Sequence, residues 1–270
     1  RGLGDVYKRQ VDSLFELIPN LPQVGCFDTA FHSTMPALAR NFALPKALTA
    51  KGIRRYGFHG ISYNYIAEAF AARDPERAKG RVIVAHLGNG ASLCGMINGQ
   101  GVVNTMGFSA LDGLMMGTRT GTIDPAVIFY LMREEKMSAE AVEKLLYNQS
   151  GLLGVSGLSN DMRTLRKAAS NNSDAQMALA MFTYRVIREI GSVAAALNGV
   201  DALIFTAGIG ENDSELRADV IKGLSHLGFT LNIDANARHD FQISASTHPA
   251  AFVMATNEEA LIAHSTVALL

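Results

Sequence analysis

The chain has 270 residues, 48% of them apolar and 18% charged, and Lys+Arg 24 against Asp+Glu 25 leaves a formal charge of −1. That balance gives one large core or two modest ones, and it excludes a strongly basic binder of nucleic acid or of an anionic membrane surface. No apolar run reaches the roughly 18 residues of a membrane span and no charged-then-apolar leader opens the sequence, so small molecules are the expected partners and the cytoplasm the expected compartment.

Residues 1–10 show neither helical nor strand periodicity. The run Asp5-Val6-Tyr7-Lys8-Arg9-Gln10 matches a translated library adapter, so this segment is read as foreign and the native chain as beginning near Val11. The apolar run 24–27 places Asp28 at a strand end. Cys26 and Cys94 lie in apolar stretches without CxxC spacing and read as packing residues. Residues 81–86 and 201–206 are β-branched-rich runs that each end in a glycine-rich corner, as buried strands do. Residues 91–97, the Asn98-Gly99 turn and 101–105 predict a hairpin. Asp124-Pro125 reads as an N-cap followed by proline at the first helical position, and Ser138 opens a second helix to about residue 147, the two forming a helical layer. Over 174–198, Leu179, Phe182, Val186, Ile190, Val193 and Leu197 recur at helical spacing, and Gly199 is placed to stop this longest helix. Asp213 or Ser214 starts a helix ending near Gly228. Residues 241–246 and 251–256 predict two more strands, and Asn257-Glu258-Glu259 opens a last helix that turns Leu261 and Ile262 inward. Strands interleaved with helices indicate an α/β fold.

Four segments carry candidate chemistry. In His86-Leu87-Gly88-Asn89-Gly90-Ala91-Ser92, two glycines let main-chain N–H groups approach a phosphate, although an Asn-Gly corner also serves merely to reverse a chain. Thr206-Ala207-Gly208-Ile209-Gly210-Glu211-Asn212 follows a strand and precedes a helix, where nucleotides meet an α/β sheet; its spacing is neither the dinucleotide fingerprint nor a P-loop, and a plain structural turn stays open. Residues 106–121 hold four glycines and one arginine, Arg119. A guanidinium on a glycine-flexed loop suits an anion in a dry pocket, against the alternative of an unliganded surface arginine. Phe27-Asp28-Thr29-Ala30-Phe31-His32 and Tyr56-Gly57-Phe58-His59-Gly60 offer a carboxylate and two imidazoles, each of which serves equally well as a structural hydrogen-bonding group. A metal site made of His32, His59 and His86 lacks helical zinc spacing.

These segments, with Ser150-Gly151-Leu152-Leu153-Gly154-Val155-Ser156-Gly157, Asp161-Met162-Arg163 and Thr256-Asn257-Glu258-Glu259, stand in the order found in acetate kinases, and from about Val11 onward the chain resembles that family. The resemblance implies the acetate and sugar kinase/Hsp70/actin-like (ribonuclease H-like) α/β fold, mainly its C-terminal lobe, and a homodimer when full length. Residues 11–32 would be a remnant of the N-terminal lobe, 33–255 the nucleotide-binding lobe, and 256–270 a helix returning to the N-terminal lobe. It implies reversible phosphoryl transfer from ATP to acetate or another short carboxylate, with Mg²⁺ or Mn²⁺. Asp28, His59 and Arg119 match the catalytic residues. His86, Leu87, Gly88, Asn89 and Gly90, then Asp161, Met162 and Arg163, then Gly208, Ile209, Gly210, Glu211 and Asn212, match the nucleotide-binding segments. Phe58 and Arg119 match substrate contacts, and Glu258 matches a metal ligand.

The family's N-terminal metal-binding asparagine, glycine/serine-rich turn with its lysine, and second arginine have no counterpart here, so the fragment alone is expected to be inactive. Ala110 stands where many members have proline and Thr122 where many have an acidic or amide residue, which keeps propionate or butyrate open as the acceptor. From a different class, a non-catalytic nucleotide-binding remnant is the alternative. A protein kinase and a serine hydrolase are disfavoured by the lack of His-Arg-Asp, Asp-Phe-Gly and G-x-S-x-G segments.

Overall fold

The apolar runs form the sheet that their composition calls for. In the computed structural model, which describes residues 3–270 and side chains from Lys8 onward, strands β1 (Arg81–Leu87), β2 (Ala91–Ile97), β3 (Gln100–Asn104), β4 (Ala202–Thr206) and β5 (Ala250–Val253) make one five-stranded sheet in the order β3-β2-β1-β4-β5. The Asn98-Gly99 turn, with φ 51 and 72, folds β3 back on β2. β1 pairs antiparallel with β2 and parallel with β4, and β4 pairs parallel with β5.

The described helices of six residues or more are α1 (Leu3–Leu17), α2 (Gly60–Arg73), α3 (Pro125–Arg133), α4 (Ala139–Asn148), α5 (Gly151–Ser156), α6 (Met162–Ala168), α7 (Ser173–Ala196), α8 (Ala207–Asn212), α9 (Ser214–Gly223) and α10 (Glu258–Leu269), of which α2 and α7 pack on opposite faces of the sheet. The two-residue period of a strand sends Val82 and Val84 into one core with Tyr63, Ile66 and Phe70 of α2. Ile83, Ala85 and Leu87 enter the other core with Phe182, Val186 and Ile190 of α7. Those three α7 side chains are 0% exposed, and each contributes roughly 1.5–3 kcal/mol by leaving water. Asn172 Oδ1 caps α7 by accepting from Asp174 N and Ala175 N, both at 2.9 Å, and Asn198 and Gly199 end it with φ 57 and 126.

Several sequence expectations need correction. The segment read as foreign is helical from Leu3, where α1 begins, and the described side chains of α1 lie exposed; residues 1 and 2 lie outside the described residues. Asp28 follows a coil segment and not a strand. The helix expected to run to Gly228 ends at Gly223, and a separate 3₁₀ turn, Ser225–Leu227, precedes Gly228. The Thr206–Asn212 corner is itself helical, as α8. Residues 241–246 make only isolated bridges to β5 and to Leu231, because Ser244 Oγ takes the Ala251 N–H at 3.0 Å in place of a main-chain carbonyl. Leu261 is buried, but Ile262 is 38% exposed. α3 joins no buried layer: none of its residues is buried.

Candidate active site

The strand pleat decides which groups meet where β1 and β4 end. His86 follows Val82 and Val84 on the α2 face, and its registered neighbours are Ser92 on β2 and Thr206 on β4. α2 starts at the same end. A Cβ on Gly60 would lie 2.0 Å from the Asp28 carbonyl oxygen, so glycine is what lets this segment rest on Asp28. There His59 N donates to Asp28 Oδ2 at 2.7 Å, Ile61 N donates to Asp28 Oδ1 at 3.3 Å, and Gly60 N donates to the Asp28 carbonyl at 2.9 Å.

His59 sits in the left-handed region at φ 57, uncommon for a side chain with Cβ, which places its ring flat on that of His86 with centroids 4.1 Å apart. His59 Nδ1 is 2.8 Å from Ser92 Oγ, and His86 Nδ1 is 2.9 Å from Ser62 Oγ. Burial, then the charge of Arg119 and the neighbouring His32, lowers the His59 pKa to about 4. Burial, then His59, lowers that of His86 to about 3. Both rings are neutral at pH 7.

Arg119 is brought in by its glycine-rich loop, with Nη1 donating to the Ala110 carbonyl at 3.0 Å. From the point where a Gly90 Cβ would stand, His59 Nε2 is 3.2 Å away and Arg119 Nη1 is 3.7 Å away, so two nitrogens converge over that glycine. Glu258, exposed as a residue at the start of α10, has its carboxyl pKa raised by partial burial and then by the Asp28 charge, which puts the two carboxylates in one neighbourhood. Among the described residues no group of three or more His, Cys, Asp or Glu side chains could hold a metal ion alone.

Beside this cluster lies a cavity of about 590 Å³ whose lining includes Gly88, Asn89, Asp161, Met162, Gly208 and Asn212. Asn89 ties it to the Arg119 loop: its carbonyl accepts from Gly117 N at 3.0 Å, and its Oδ1 accepts from Asn160 Nδ2 at 3.0 Å. Ala207 has φ 65, and its N–H donates to Glu211 Oε1 at 2.8 Å, which also accepts from Thr256 N at 3.3 Å. Arg217, 0% exposed, donates to the carbonyls of Gly210 at 2.9 Å and Glu211 at 2.7 Å and to Asn236 Oδ1 at 2.8 Å. Burial pushes its pKa down to about 10, so it stays charged at neutral pH. Asp161 caps α6 by accepting from Thr164 N at 2.9 Å, and its pKa falls to about 2, chiefly through the hydrogen bond from Arg163.

The candidate site residues thus separate into three groups. His59 and Arg119 meet over Gly90 beside the stacked histidines, Asp28 accepts from His59 N, Glu258 feels the Asp28 charge, and the Phe58 carbonyl faces His32 Nε2. Gly88, Asn89, Asp161, Met162, Arg163, Gly208, Ile209 and Asn212 line the cavity. His86, Leu87, Gly210 and Glu211 support from behind: Leu87 is 0% exposed, His86 lies beneath His59, Gly210 is buried and Glu211 ties α8 to Thr256. His32 is buried, its Nε2 2.9 Å from the Phe58 carbonyl. Sequence reasoning gave no role to Ser62, Tyr63, Ser92 or Arg217. Ser92 had a usable signal, since the short Gly88-Asn89-Gly90 corner between β1 and β2 fixes the register that sets it opposite His86.

A profile of the acetokinase family matches residues 7–264. The chain belongs to the acetokinase family. Among its relatives, the acetate kinase of Rhodopseudomonas palustris (strain ATCC BAA-98 / CGA009) is 52% identical over 257 residues, covering 94% of this chain and 64% of that protein. The acetate kinase of Rickettsia akari (strain Hartford) is 46% identical over 270 residues, covering 99% and 70%. In structure, a propionate kinase from Francisella tularensis subsp. tularensis SCHU S4 superposes with a TM-score of 0.89 at 41% identity, over 94% of this chain and 66% of that one. The acetate kinase of Porphyromonas gingivalis gives 0.90 at 38%, over 96% and 66%. This acetokinase chain therefore has the α/β, actin-like fold of acetate and propionate kinases, built on the mixed sheet described above. It spans less than two thirds of the Rhodopseudomonas relative. No described helix is long and apolar enough to cross a membrane.

Proposed function

We propose that these residues form the nucleotide- and phosphoryl-binding part of an ATP-dependent kinase that converts acetate to acetyl phosphate, acting in the cytoplasm. The observation that carries the reading is the convergence of His59 Nε2 and Arg119 Nη1 over Gly90, beside a cavity bordered by both glycine corners. ATP lies along that cavity, between the Gly88-Asn89 corner and the start of α8. A carboxylate oxygen of acetate attacks the γ-phosphorus in line as the bond to the ADP oxygen breaks. Arg119 and the neutral His59 ring hold the charge spread over the equatorial oxygens. The nucleophile already carries its charge, so Asp28 is an orienting and metal-associated group more than a proton acceptor. Phe58 walls the acceptor's methyl group.

The donor set at the site fits a hard divalent cation. Two neighbouring carboxylates, Asp28 and Glu258, repel one another when alone, and Mg²⁺ is commonly held by one or two carboxylates plus phosphates and water. Bound there, Mg²⁺ would neutralise the nucleotide phosphates. Asp28 keeps its backbone donors His59 N and Ile61 N while presenting its remaining lone pairs.

A second acceptor is propionate: the backbone carbonyl that receives Arg119 Nη1 belongs to Ala110, whose side chain is a single methyl group. One methylene is worth only about 1–3 kcal/mol in such a pocket. A homodimer is the proposed assembly, with α3 as its face, because Phe129 and Tyr130 there are 54% and 55% exposed.

The test is a titration of the 270-residue chain with ATP and Mg²⁺, followed by trapping any acyl phosphate as a hydroxamate with acetate or propionate. Saturable Mg·ATP binding is expected, with little or no acyl phosphate formed. Absence of nucleotide binding would defeat the proposal.

A further inference from the structure

We propose that Tyr63 and Ser92 are positioning residues which lock the His59 ring in the tautomer bearing its proton on Nε2, so that a hydrogen-bond donor faces the transferred phosphoryl group. The inference rests on the reading of His59 as a phosphoryl ligand. It begins with a three-membered chain: Tyr63 Oη is 2.5 Å from Ser92 Oγ, and Ser92 Oγ is 2.8 Å from His59 Nδ1. Tyr63 and Ser92 are both 0% exposed.

The direction of that chain follows from counting hydrogens. Among the described residues the Tyr63 hydroxyl has a single partner, Ser92, so its hydrogen must be given there or stranded in the core. Ser92 Oγ then accepts from Tyr63 and its own hydrogen has one acceptor left, the lone pair of His59 Nδ1. An imidazole that accepts at Nδ1 carries its proton at Nε2. The opposite direction, with Nδ1–H donating to Ser92 and Ser92 to Tyr63, leaves the phenolic hydrogen buried without a partner.

Other restraints hold the ring where that direction matters. Stacking on His86 at 4.1 Å and the bond from His59 N to Asp28 Oδ2 at 2.7 Å fix its plane and its backbone. Nε2 therefore points to the space over Gly90 that it shares with Arg119 Nη1. A proton there gives a phosphoryl oxygen a second donor beside the guanidinium, whereas a lone pair there would repel it. His86 provides an internal control, because its Nδ1 meets a different hydroxyl, Ser62, which donates onward to Thr256 Oγ1 at 2.9 Å.

The experiment is long-range ¹H–¹⁵N spectroscopy at neutral pH on the 270-residue chain labelled with ¹⁵N-histidine, with His59 assigned from the spectrum of His59→Gln. The wild-type chain should show His59 with Nε2 protonated and Nδ1 bare. Ser92→Ala should move the tautomer ratio about fivefold toward Nδ1–H, as expected for one lost hydrogen bond. Tyr63→Phe, nearly isosteric, should move it the same way by less, and His86 should stay unchanged in both. A wild-type His59 protonated at Nδ1 would overturn the inference. So would variants that leave its ratio unmoved, or that shift His59 and His86 together as general loosening of the core would. Adding ATP and Mg²⁺ to the same wild-type sample separates the two readings: if the His59 signals ignore the nucleotide, the kinase assignment fails while the tautomer result stands.

Discussion

The two ends of the cleft are built in opposite ways. At the His59 end, His59, His86, Ser92 and Tyr63 form a stacked and hydrogen-bonded set that leaves little exposed and keeps both imidazoles uncharged. At the cavity end the side chains are held by ion pairs, the exposed Asp161 with Arg163 and the more buried Arg166 with Asp213 and Glu215, while the buried Arg217 braces α8 from behind. Under the proposed kinase function the difference matches the demands on each. Charge that develops during transfer must meet donors already in place, while a nucleoside needs a shaped surface it can enter and leave.

If Arg217 is what makes the second corner stiff, removing it should be the most damaging change. Arg217→Ala leaves the Gly210 and Glu211 carbonyls and Asn236 without their buried donor, and should cost about 3–5 kcal/mol in urea unfolding. A loss near that of a surface substitution would remove Arg217 from the account.

Acid probes the other end. His59 and His86 titrate near 4 and 3 in the folded chain but near 6.5 when unfolded, so protons favour the unfolded state as pH falls below 6.5. Stability contributed by their neutral burial is fully present above pH 6.5 and is lost down to about pH 3 to 4. For His59 alone, a shift of this size corresponds to about 3 kcal/mol. Unfolding curves of His59→Gln should be flatter across that window than those of wild type, and parallel curves would refute the neutral assignment.

Gly208 separates binding from packing. A Cβ there meets nothing within 4 Å, yet the residue lines the cavity. Gly208→Val should alter stability by no more than about 1 kcal/mol and weaken ATP about tenfold by occupying its space. Stability loss without a change in affinity would mean that the cavity is not the nucleotide's. The smallest effect belongs to the exposed pair: Asp161→Asn should change ATP affinity only a few-fold, in keeping with the value of surface ion pairs.

Much of this arrangement was legible in the chain, unevenly. The β1 and β4 runs, the hairpin and α7 follow from periods that a single sequence displays. Asp28, His59 and Arg119 were each ambiguous alone and became a set through the order of the segments around them. α2 escaped notice because it buries Tyr63, Ile66 and Phe70 on one side and Gly60 and Ser62 on another, which blurs an amphipathic stripe. Arg217 escaped for a related reason, since an arginine in a charged helix reads as solvated until the fold wraps Asn236 and α8 around it. The 241–246 strand was misread because alternating serines imitate strand periodicity while their hydroxyls take the ladder's hydrogen bonds.

The central claim is that Arg119 and His59 are aimed at a phosphoryl group in transit, and one comparison tests it directly. The affinities of wild type and Arg119→Ala are measured for Mg·ADP, and for Mg·ADP with aluminium fluoride in the place of that group. The account predicts a loss of about 100-fold for the fluoride complex with Mg·ADP nearly unchanged. Equal losses for both ligands, or none for either, would contradict it.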